Sequence, residues 1–446
     1  MDHALLYRHY GAHIAIQQQR VRGALARLGL DYLVIHSGQP HRQFLDDQDY
    51  PFKANPHFKA WLPLTDSPNC WLIVNGDDKP KLLFFQPQDY WHAEPQLPPP
   101  EVSDHFAIQV LTRADDAAHW LPPLAQAAYI GEAVELARVL GFSRINPDEV
   151  LHQLHYLRAY KSDYEIDCMT AASALAVAGH RAAATAFAAG GSEYEIHLAY
   201  LAATGHAETE LPYGNIIGLN QHAAVLHYTA LERQRQSPRL SFLIDAGASC
   251  NGYAADITRT YAAAAGPFAE LIVAMDQLQQ QLVAGVVPGA RFADLHQQCH
   301  RGIARVLVDH GVATGSVEAL VEQRVTHAFF PHGLGHLIGL QVHDVGGHLA
   351  DERGTPAPPP ADHPYLRLTR TLEPRMVVTI EPGLYFIDEL LKSLAAAPGG
   401  KLVNWHAVDQ LRPCGGIRIE DDVLLLRERT VNLTRDQGLA QPAVVT

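Results

Sequence analysis

The stretch at residues 240–261, LSFLIDAGASCNGYAADITRTY, consists of two apolar runs around an Asn-Gly pair. Asn-Gly between apolar runs predicts a β-hairpin with a two-residue type I′ turn. With that pair as the turn, Asp245 faces Thr258, and Asp245 and Asp256 become diagonal neighbours on one face of the ribbon. Two carboxylates in such apolar strands repel each other unless a proton or a cation lies between them.

Other stretches carry donors that could meet this pair. VVTIEPG places Glu381 at the end of a β-branched run, and GGIRIEDDVLLL places Glu420 on a strand with Arg418 on the same face. His336 lies in PHGLGHLIGLQVH, residues 331–343, among glycines. Four carboxylates and one imidazole would balance two divalent cations and favour Mn²⁺, Co²⁺ or Zn²⁺ over a thiolate site. The ordinary alternative is a set of solvated strand-end carboxylates and surface histidines in a turn, because spacing does not reveal proximity in space.

Composition limits the class of protein. A chain of 446 residues predicts two domains. The net charge of −14 argues against binding to nucleic acid or to anionic membranes. Five scattered cysteines favour a reducing compartment over a disulfide framework. The first twenty residues lack the apolar core of a signal peptide, and no run has the length of a membrane span, so a cytoplasmic protein is expected.

The order of predicted elements gives the domain organisation. Strands alternate with helices at the start of the chain, which predicts a small α/β domain over residues 1–158. Two long helices meeting near Lys161 mark the boundary. Residues 159–446 mix helices with predicted strands at 223–229, 240–246, 253–262, 376–380 and 416–426, so the whole chain is predicted to be α+β.

Several motifs resemble those of one family. IDAGA…NGYAADITRTY, HGLGH…GLQVHD, TIEPGLYFI and GGIRIED follow the metal-site motifs of the pita-bread metallopeptidases in order. FLDDQDYPFKANPHFKAWLP and NQHAAVLHYT resemble the bacterial Xaa-Pro dipeptidases (prolidases) and the related organophosphorus acid anhydrolase. The resemblance implies a creatinase-like N-terminal domain for dimerisation and active-site access, followed by a pita-bread catalytic domain. It also implies a homodimeric hydrolase of Xaa-Pro dipeptides, with organophosphate hydrolysis as a side activity.

The resemblance further implies a role for each matching residue. Two divalent ions per subunit, Mn²⁺ with Co²⁺ or Zn²⁺ as alternatives, would be held by five ligands: Asp245, Asp256, His336, Glu381 and Glu420. Glu381 would also move a proton from the attacking water to the leaving proline nitrogen. The substrate would meet six other side chains: His332 beside the scissile carbonyl, His343 and Arg418 at its carboxylate end, Tyr213 and His227 in the pocket wall, and Asp46 reaching the partner subunit's site.

Several of these residue roles, and the function itself, have an alternative. Arg418 could instead pair with Asp421 or Glu420 and merely orient ligands. Tyr213 and His227 could be packing residues, and Asp46 a loop carboxylate. An aminopeptidase acting on longer Xaa-Pro peptides would share the metals, and a metal-free peptide-binding module would share the fold. A methionine aminopeptidase would leave the N-terminal domain unexplained.

Overall fold

A six-stranded mixed sheet is the main feature of the first part of the chain. Its strands are β1 (Tyr32–His36), β2 (Trp71–Val74), β3 (Lys81–Phe85), β4 (Ala107–Leu111), β5 (Ala127–Ile130) and β6 (Arg144–Ile145). They lie in the order β4-β3-β2-β1-β5-β6. β1 pairs antiparallel with β2 and parallel with β5. Runs such as YLVIH and WLIV form these strands because β-branched and aromatic side chains fit a sheet buried on both faces.

Helices accompany this sheet. They are α1 (His3–Tyr7), α2 (Tyr10–Leu28), α3 (Pro56–Lys59), α4 (Pro100–Ser103), α5 (Val134–Leu140) and α6 (Asp148–Arg158). In α2, Ile14, Val21 and Leu25 recur at helical spacing and are buried. The helix ends at Gly29, whose φ of 62° is the left-handed conformation that glycine adopts without strain.

The computed structural model describes residues 3–444, which divide into two units. The first unit runs up to Cys168 and includes Cys250–Tyr253 and Leu349–Pro356. The remaining residues form the second unit. The predicted boundary between residues 158 and 159 falls in the connection between α6 and α7 (Asp163–Ala188), the two helices expected to meet near Lys161. Among residues 3–444, no helix combines the length and apolar character needed to cross a bilayer.

The second unit consists of small antiparallel sheets with helices around them. Its strands are β7 (Ile216–Leu219), β8 (Ser241–Asp245), β9 (Ser249–Cys250, shared with the first unit), β10 (Tyr253–Ala254, likewise shared), β11 (Thr258–Ala262), β12 (Val377–Ile380), β13 (Gly383–Tyr385), β14 (Gly416–Arg418), β15 (Asp421–Leu425) and β16 (Thr430–Asn432). After α7 its helices are α8 (Glu193–Thr204), α9 (Pro267–Ala284), α10 (Phe292–Asp309), α11 (Val317–Glu322), α12 (Val325–Phe329), α13 (Asp388–Ala396) and α14 (Trp405–Leu411). Helices and strands without strict alternation confirm the predicted α+β class.

The sheets of this unit are small, and the sheet that contains β8 packs its apolar face against helices. The sheets have the orders β11-β8-β7, β12-β15-β16 and β13-β14. Phe242 of β8 stacks on Phe187 of α7, with ring centroids 5.0 Å apart, inside a core that also contains Ile196 and Tyr200 of α8. This packing buries the strand face opposite to the polar residues and so fixes their direction.

The predicted register of the hairpin is confirmed. Asp245 of β8 pairs with Thr258 of β11. Asn251 and Gly252 have φ angles of 51° and 85°, both in the left-handed region that a type I′ turn requires. A short polar turn signal thus sets where each carboxylate of the two strands lies.

The strand predicted over residues 223–229 is wrong. Residues 220–224 form a 3₁₀ helix, and the chain up to residue 229 is irregular. Asn220 has a φ of 54°, and its side-chain oxygen accepts hydrogen bonds from the backbone N–H groups of Leu240 and Ser241. These long-range contacts turn the chain at the end of β7, although the alternating AAVLHYT pattern favours a strand.

A buried ion pair joins β11 to β15. Arg259 and Asp421 both have fully buried side chains, and the guanidinium Nη2 donates to Asp421 Oδ1 at 2.7 Å. Arg259 Nη1 donates to the backbone oxygens of Thr258 and Glu420 at 2.9 and 2.8 Å, and Nη2 also donates to that of Leu439. Because Arg259 satisfies the backbone of Glu420, it fixes the strand end that carries this carboxylate.

Candidate active site

The two aspartates of the hairpin meet at one tyrosine. Tyr213 Oη lies 2.8 Å from Asp245 Oδ1 and 2.6 Å from Asp256 Oδ1. Burial, the largest effect, raises the pKa of Asp245. Burial also opposes ionisation of Asp256, but the adjacent His336 imidazole and the Tyr213 hydroxyl outweigh it and lower the pKa of that carboxyl. The Tyr213 hydroxyl thus lies within hydrogen-bond distance of both carboxylates, although it has only one proton to donate.

His336 reaches the aspartates from the glycine-rich stretch. Its Nδ1–H donates to the backbone oxygen of Leu337 at 3.0 Å, which turns Nε2 toward Asp256 Oδ2 at 3.4 Å and Glu381 Oε1 at 3.7 Å. The preceding Gly335 allows this approach, because a Cβ there would lie 2.0 Å from the backbone oxygen of Thr379. Glycine at position 335 thus lets this segment pass close to the backbone of β12.

Glu381 and Glu420 complete the carboxylate group. Glu381 follows β12, and its Oε2 lies 3.6 Å from His332 Nδ1. Glu420 bridges β14 and β15 and accepts a hydrogen bond from Thr258 Oγ1 at 2.7 Å. Burial, reinforced by Asp256 and other carboxylates, raises the pKa of Glu381 to about 7 and that of Glu420 well above its usual range. One ligand atom each from Asp256, His336 and Glu420 lies within 4.8 Å of the others.

A chain of hydrogen bonds connects Arg418 to His332. Arg418 is 4 % exposed; its Nη2 donates to Asp245 Oδ2 at 2.6 Å, and its Nη1 donates to the Tyr385 hydroxyl at 2.8 Å. That hydroxyl lies 2.9 Å from His332 Nε2, while His332 Nδ1 lies 2.8 Å from the backbone oxygen of Gly333. Burial and then the Arg418 charge lower the pKa of His332 to about 3. The imidazole is therefore neutral, with Nδ1–H donating and Nε2 accepting.

Of the other residues predicted to contact the substrate, some lie beside the carboxylate group and one does not. His343 is exposed, and its ring lies against that of His336, with centroids 4.5 Å apart. His227 is also exposed and is close enough to His332 and His343 to affect their pKa values. Asp46 belongs to the first unit, where it is exposed and its Oδ1 accepts a hydrogen bond from the backbone of Gln48. Within the described chain, Asp46 has no place in the carboxylate group.

Two neighbours of the carboxylates were missed by the sequence analysis. Tyr385 bonds both Arg418 and His332, and Thr258 bonds both Glu420 and Arg418. Thr258 could have been found, since the hairpin register already placed it opposite Asp245. Tyr385 follows TIEPG by two residues, but an aromatic residue in an apolar strand gives no separate signal.

The donor set fits divalent cations. Four carboxylates are gathered here, and within residues 3–444 Arg418 is the guanidinium that bonds directly to one of them, Asp245. His336 Nε2 faces carboxylate oxygens, an arrangement that is stable only with a cation or a proton between them. The Leu337 carbonyl that holds Nδ1–H is the outer-sphere partner typical of a metal-binding histidine.

Comparison with known proteins places the chain among relatives along its whole length. Residues 8–156 match the family described as "Xaa-Pro dipeptidase, N-terminal domain". The chain is 56 % identical to an Xaa-Pro dipeptidase of Shewanella oneidensis over 441 residues, which cover 99 % of this chain and 100 % of that protein. An Xaa-Pro dipeptidase of Shewanella baltica is 56 % identical over 97 % of this chain and 99 % of its own. The predicted resemblance is confirmed.

Solved structures share the fold. Escherichia coli aminopeptidase P with the inhibitor Pro-Leu has a TM-score of 0.72 and 23 % identity, covering 96 % of each chain. Proline aminopeptidase P II from Yersinia pestis has a TM-score of 0.71 and 23 % identity, covering 98 % of this chain and 97 % of its own. These matches confirm the predicted pita-bread architecture. Because residues 167–426 match the metallopeptidase family M24 and the relatives extend over nearly the full length, the chain belongs to this family and is a metallopeptidase hydrolase.

Proposed function

We propose that the chain hydrolyses Xaa-Pro dipeptides with two divalent cations held by Asp245, Asp256, His336, Glu381 and Glu420. The observation that carries this proposal is the position of His336 Nε2, which faces the oxygens of Asp256 and Glu381 while Nδ1 is held by the Leu337 carbonyl. The substrate class rests on the curated relatives, which are named Xaa-Pro dipeptidases. Oxygen-rich ligands with one imidazole favour Mn²⁺, with Co²⁺ or Zn²⁺ as alternatives.

The bound cations would acidify a water molecule and polarise the scissile carbonyl. Glu381 is suited to carry the proton from that water toward the proline nitrogen, because one of its oxygens faces His336 Nε2 at 3.7 Å while the other faces the neighbouring His332 at 3.6 Å. The nitrogen of an Xaa-Pro bond has no hydrogen, so it must gain a proton before it leaves. Tyr213 holds Asp245 and Asp256 side by side through its hydroxyl.

His332 lies next to this carboxylate group and positions the reacting bond. Its Nε2 accepts a hydrogen bond from Tyr385, so the imidazole in this tautomer does not donate to a developing oxyanion. Donation, as the family resemblance implies, would require a proton on Nε2 and a turned Tyr385 hydroxyl. His343 and His227 are exposed beside the group and suit contacts with an incoming dipeptide.

The activity is tested with a substrate panel. We expect the purified protein to hydrolyse Gly-Pro, Ala-Pro and Leu-Pro, to lose this activity in EDTA, and to regain it when Mn²⁺ is returned. Gly-Pro-Ala should remain intact, because a dipeptidase closes the carboxyl end of the site. Equal cleavage of Gly-Pro-Ala would favour the aminopeptidase alternative, and no hydrolysis of any member after metal return would favour the peptide-binding module.

Arg418 is proposed to bind the substrate carboxylate. The alternative partners Asp421 and Glu420 are not those to which its side chain donates; it donates to Asp245, Tyr385 and Thr258. Three of its five N–H donors are used in this way, so one on each terminal nitrogen remains for a carboxylate.

Kinetics of an Arg418 variant distinguish a role in binding the substrate carboxylate from a role in orienting Asp245. We expect Arg418→Lys to raise KM for Ala-Pro by about 10- to 100-fold, since hydrogen bonds to a charged group contribute about 1.5–3 kcal/mol. Ala-Pro amide lacks the carboxylate and should be affected much less. Steady-state kinetics on both substrates are the measurement. An unchanged KM with a lower kcat would leave Arg418 only the role of orienting Asp245.

We propose that the protein forms a homodimer, because one loop of the first unit exposes large apolar side chains. Phe44 and Leu45, next to Asp46, are 88 % and 92 % exposed, which is unusual for large apolar side chains on a monomer. We propose that this loop contacts a second copy and brings Asp46 to its site. Sedimentation velocity showing a monomer at micromolar concentration would refute this.

Hydrolysis of phosphotriesters and phosphorofluoridates by the carboxylate site stays a prediction.

A further inference from the structure

A second group of histidines lies in the catalytic unit apart from the carboxylates. His296 and His300 are four residues apart on α10 and are each 1 % exposed. His363 follows the proline-rich segment and is 8 % exposed. One ring nitrogen from each of these three histidines lies within 4.8 Å of the others. His327 of α12 stacks on His363 with ring centroids 5.0 Å apart.

Packing alone does not account for these side chains. His296 Nδ1 is buried and has no hydrogen-bond partner. The backbone at Asp362 lies near His327, but neither buried ring nitrogen of His327 forms a hydrogen bond of ordinary geometry. A buried polar atom left without a partner costs about 1–3 kcal/mol. A neutral imidazole has one lone pair, so His327 leaves one lone pair without a partner whichever nitrogen carries its proton. Together with the buried His296 Nδ1, it points to a missing ligand that accepts nitrogen lone pairs.

Two polar neighbours orient the rings for such a ligand. His300 Nδ1 lies 2.9 Å from Thr326 Oγ1, so an Nδ1–H donor there leaves the Nε2 lone pair available. The Gln297 amide nitrogen lies 2.8 Å from His363 Nε2. With the amide turned so that its oxygen takes this place, Gln297 would accept a hydrogen bond from Nε2–H and free Nδ1. Outer partners of this kind fix the tautomer of metal-binding histidines. Burial, then nearby histidines, lowers the pKa of His296 to about 3 and that of His300 to about 2, which keeps both neutral.

We propose that His296, His300 and His363 form a separate binding site for one Zn²⁺ ion, with His327 as a nearby fourth imidazole. Neutral nitrogen donors without a carboxylate suit Zn²⁺ and disfavour Mg²⁺, Ca²⁺ and Mn²⁺. The ion would fasten the irregular segment that carries His363 to α10. The Phe330 ring contacts His296 and His300, at 5.7 and 5.2 Å between centroids, and also His332 at 4.7 Å. The site is therefore near the carboxylate group but shares no donor with it.

The test uses the full chain with the carboxylate site disabled by Asp256→Asn and His336→Asn. Calorimetric titration with Zn²⁺ should then show one remaining ion per chain. Adding His300→Asn should weaken this binding by about 100-fold or more, since loss of an outer partner alone costs 10- to 100-fold. Adding His406→Asn, at an exposed position of α14, should change nothing. No Zn²⁺ binding in the disabled protein, or equal binding with His300→Asn, would overturn the proposal.

Anomalous diffraction above and below the zinc edge locates the ion without any variant. A peak among the three histidines of the parent protein supports the proposal. Its absence there, in crystals whose carboxylate site is loaded, refutes it. Because the two sites give separate peaks, failure here is distinguishable from failure of the proposed hydrolase.

Discussion

Replacing Glu381 by Gln is expected to lower kcat for Ala-Pro by about 1000-fold or more. Loss of a general acid–base group costs 10²- to 10⁴-fold, and 1000-fold corresponds to about 4.1 kcal/mol at 1.36 kcal/mol per decade. The amide of glutamine keeps the shape of the side chain but carries no titratable proton. The measurement is steady-state kinetics of the purified variant after metal return, together with its metal content.

The matched control for this variant is Glu389→Gln, a similar change at an exposed position of α13. It should keep parental kcat. Loss of kcat in Glu381→Gln with full metal content identifies proton transfer, and loss of both identifies a metal ligand. A variant that keeps more than half of the parental kcat would show that Glu381 does neither.

Replacing Arg259 by Met is expected to lower the free energy of unfolding by about 3–5 kcal/mol. The variant removes one of the two guanidinium groups that compensate the buried Asp421, and it leaves the backbone oxygens of Glu420 and Leu439 without their Arg259 donor. Asp421 keeps bonds from Arg435 and Gln279, so folding at low temperature should survive. The loss should appear as an earlier unfolding transition in guanidinium chloride followed by circular dichroism.

An exposed pair serves as the comparison. Arg235 bonds Glu195 in a two-point pair whose side chains are 65 % and 43 % exposed. Arg235→Met should cost less than about 1 kcal/mol, because water screens such pairs. Similar transition midpoints for the Arg259 and Arg235 variants would contradict the structural role given to the buried pair.

Local signals in the sequence predicted those parts of the fold that depend on neighbouring residues. The Asn-Gly pair set the pairing of Asp245 with Thr258 because a type I′ turn leaves one register for short strands. The strand predicted at 223–229 failed because Asn220 bonds a segment twenty residues away. No local pattern reports a contact of that range.

The carboxylate group could not be predicted from sequence patterns alone. Asp245 and Glu420 lie far apart in sequence, and only the family resemblance joined them before the structure. Tyr385 was missed because its hydroxyl partners come from other strands. The histidine cluster shows the same limit, since the spacing of His296 and His300 is visible in the sequence while the approach of His363 depends on an irregular segment.

The central claim is tested most directly by counting metal ions. Protein stripped with EDTA, reconstituted with Mn²⁺ and freed of excess ion should contain two Mn²⁺ per chain by mass spectrometric metal analysis. Asp256→Asn should lose at least one of them together with the Ala-Pro hydrolysis. A parent protein that hydrolyses Ala-Pro with no stoichiometric divalent metal, or an Asp256→Asn variant with unchanged content and activity, would contradict the account.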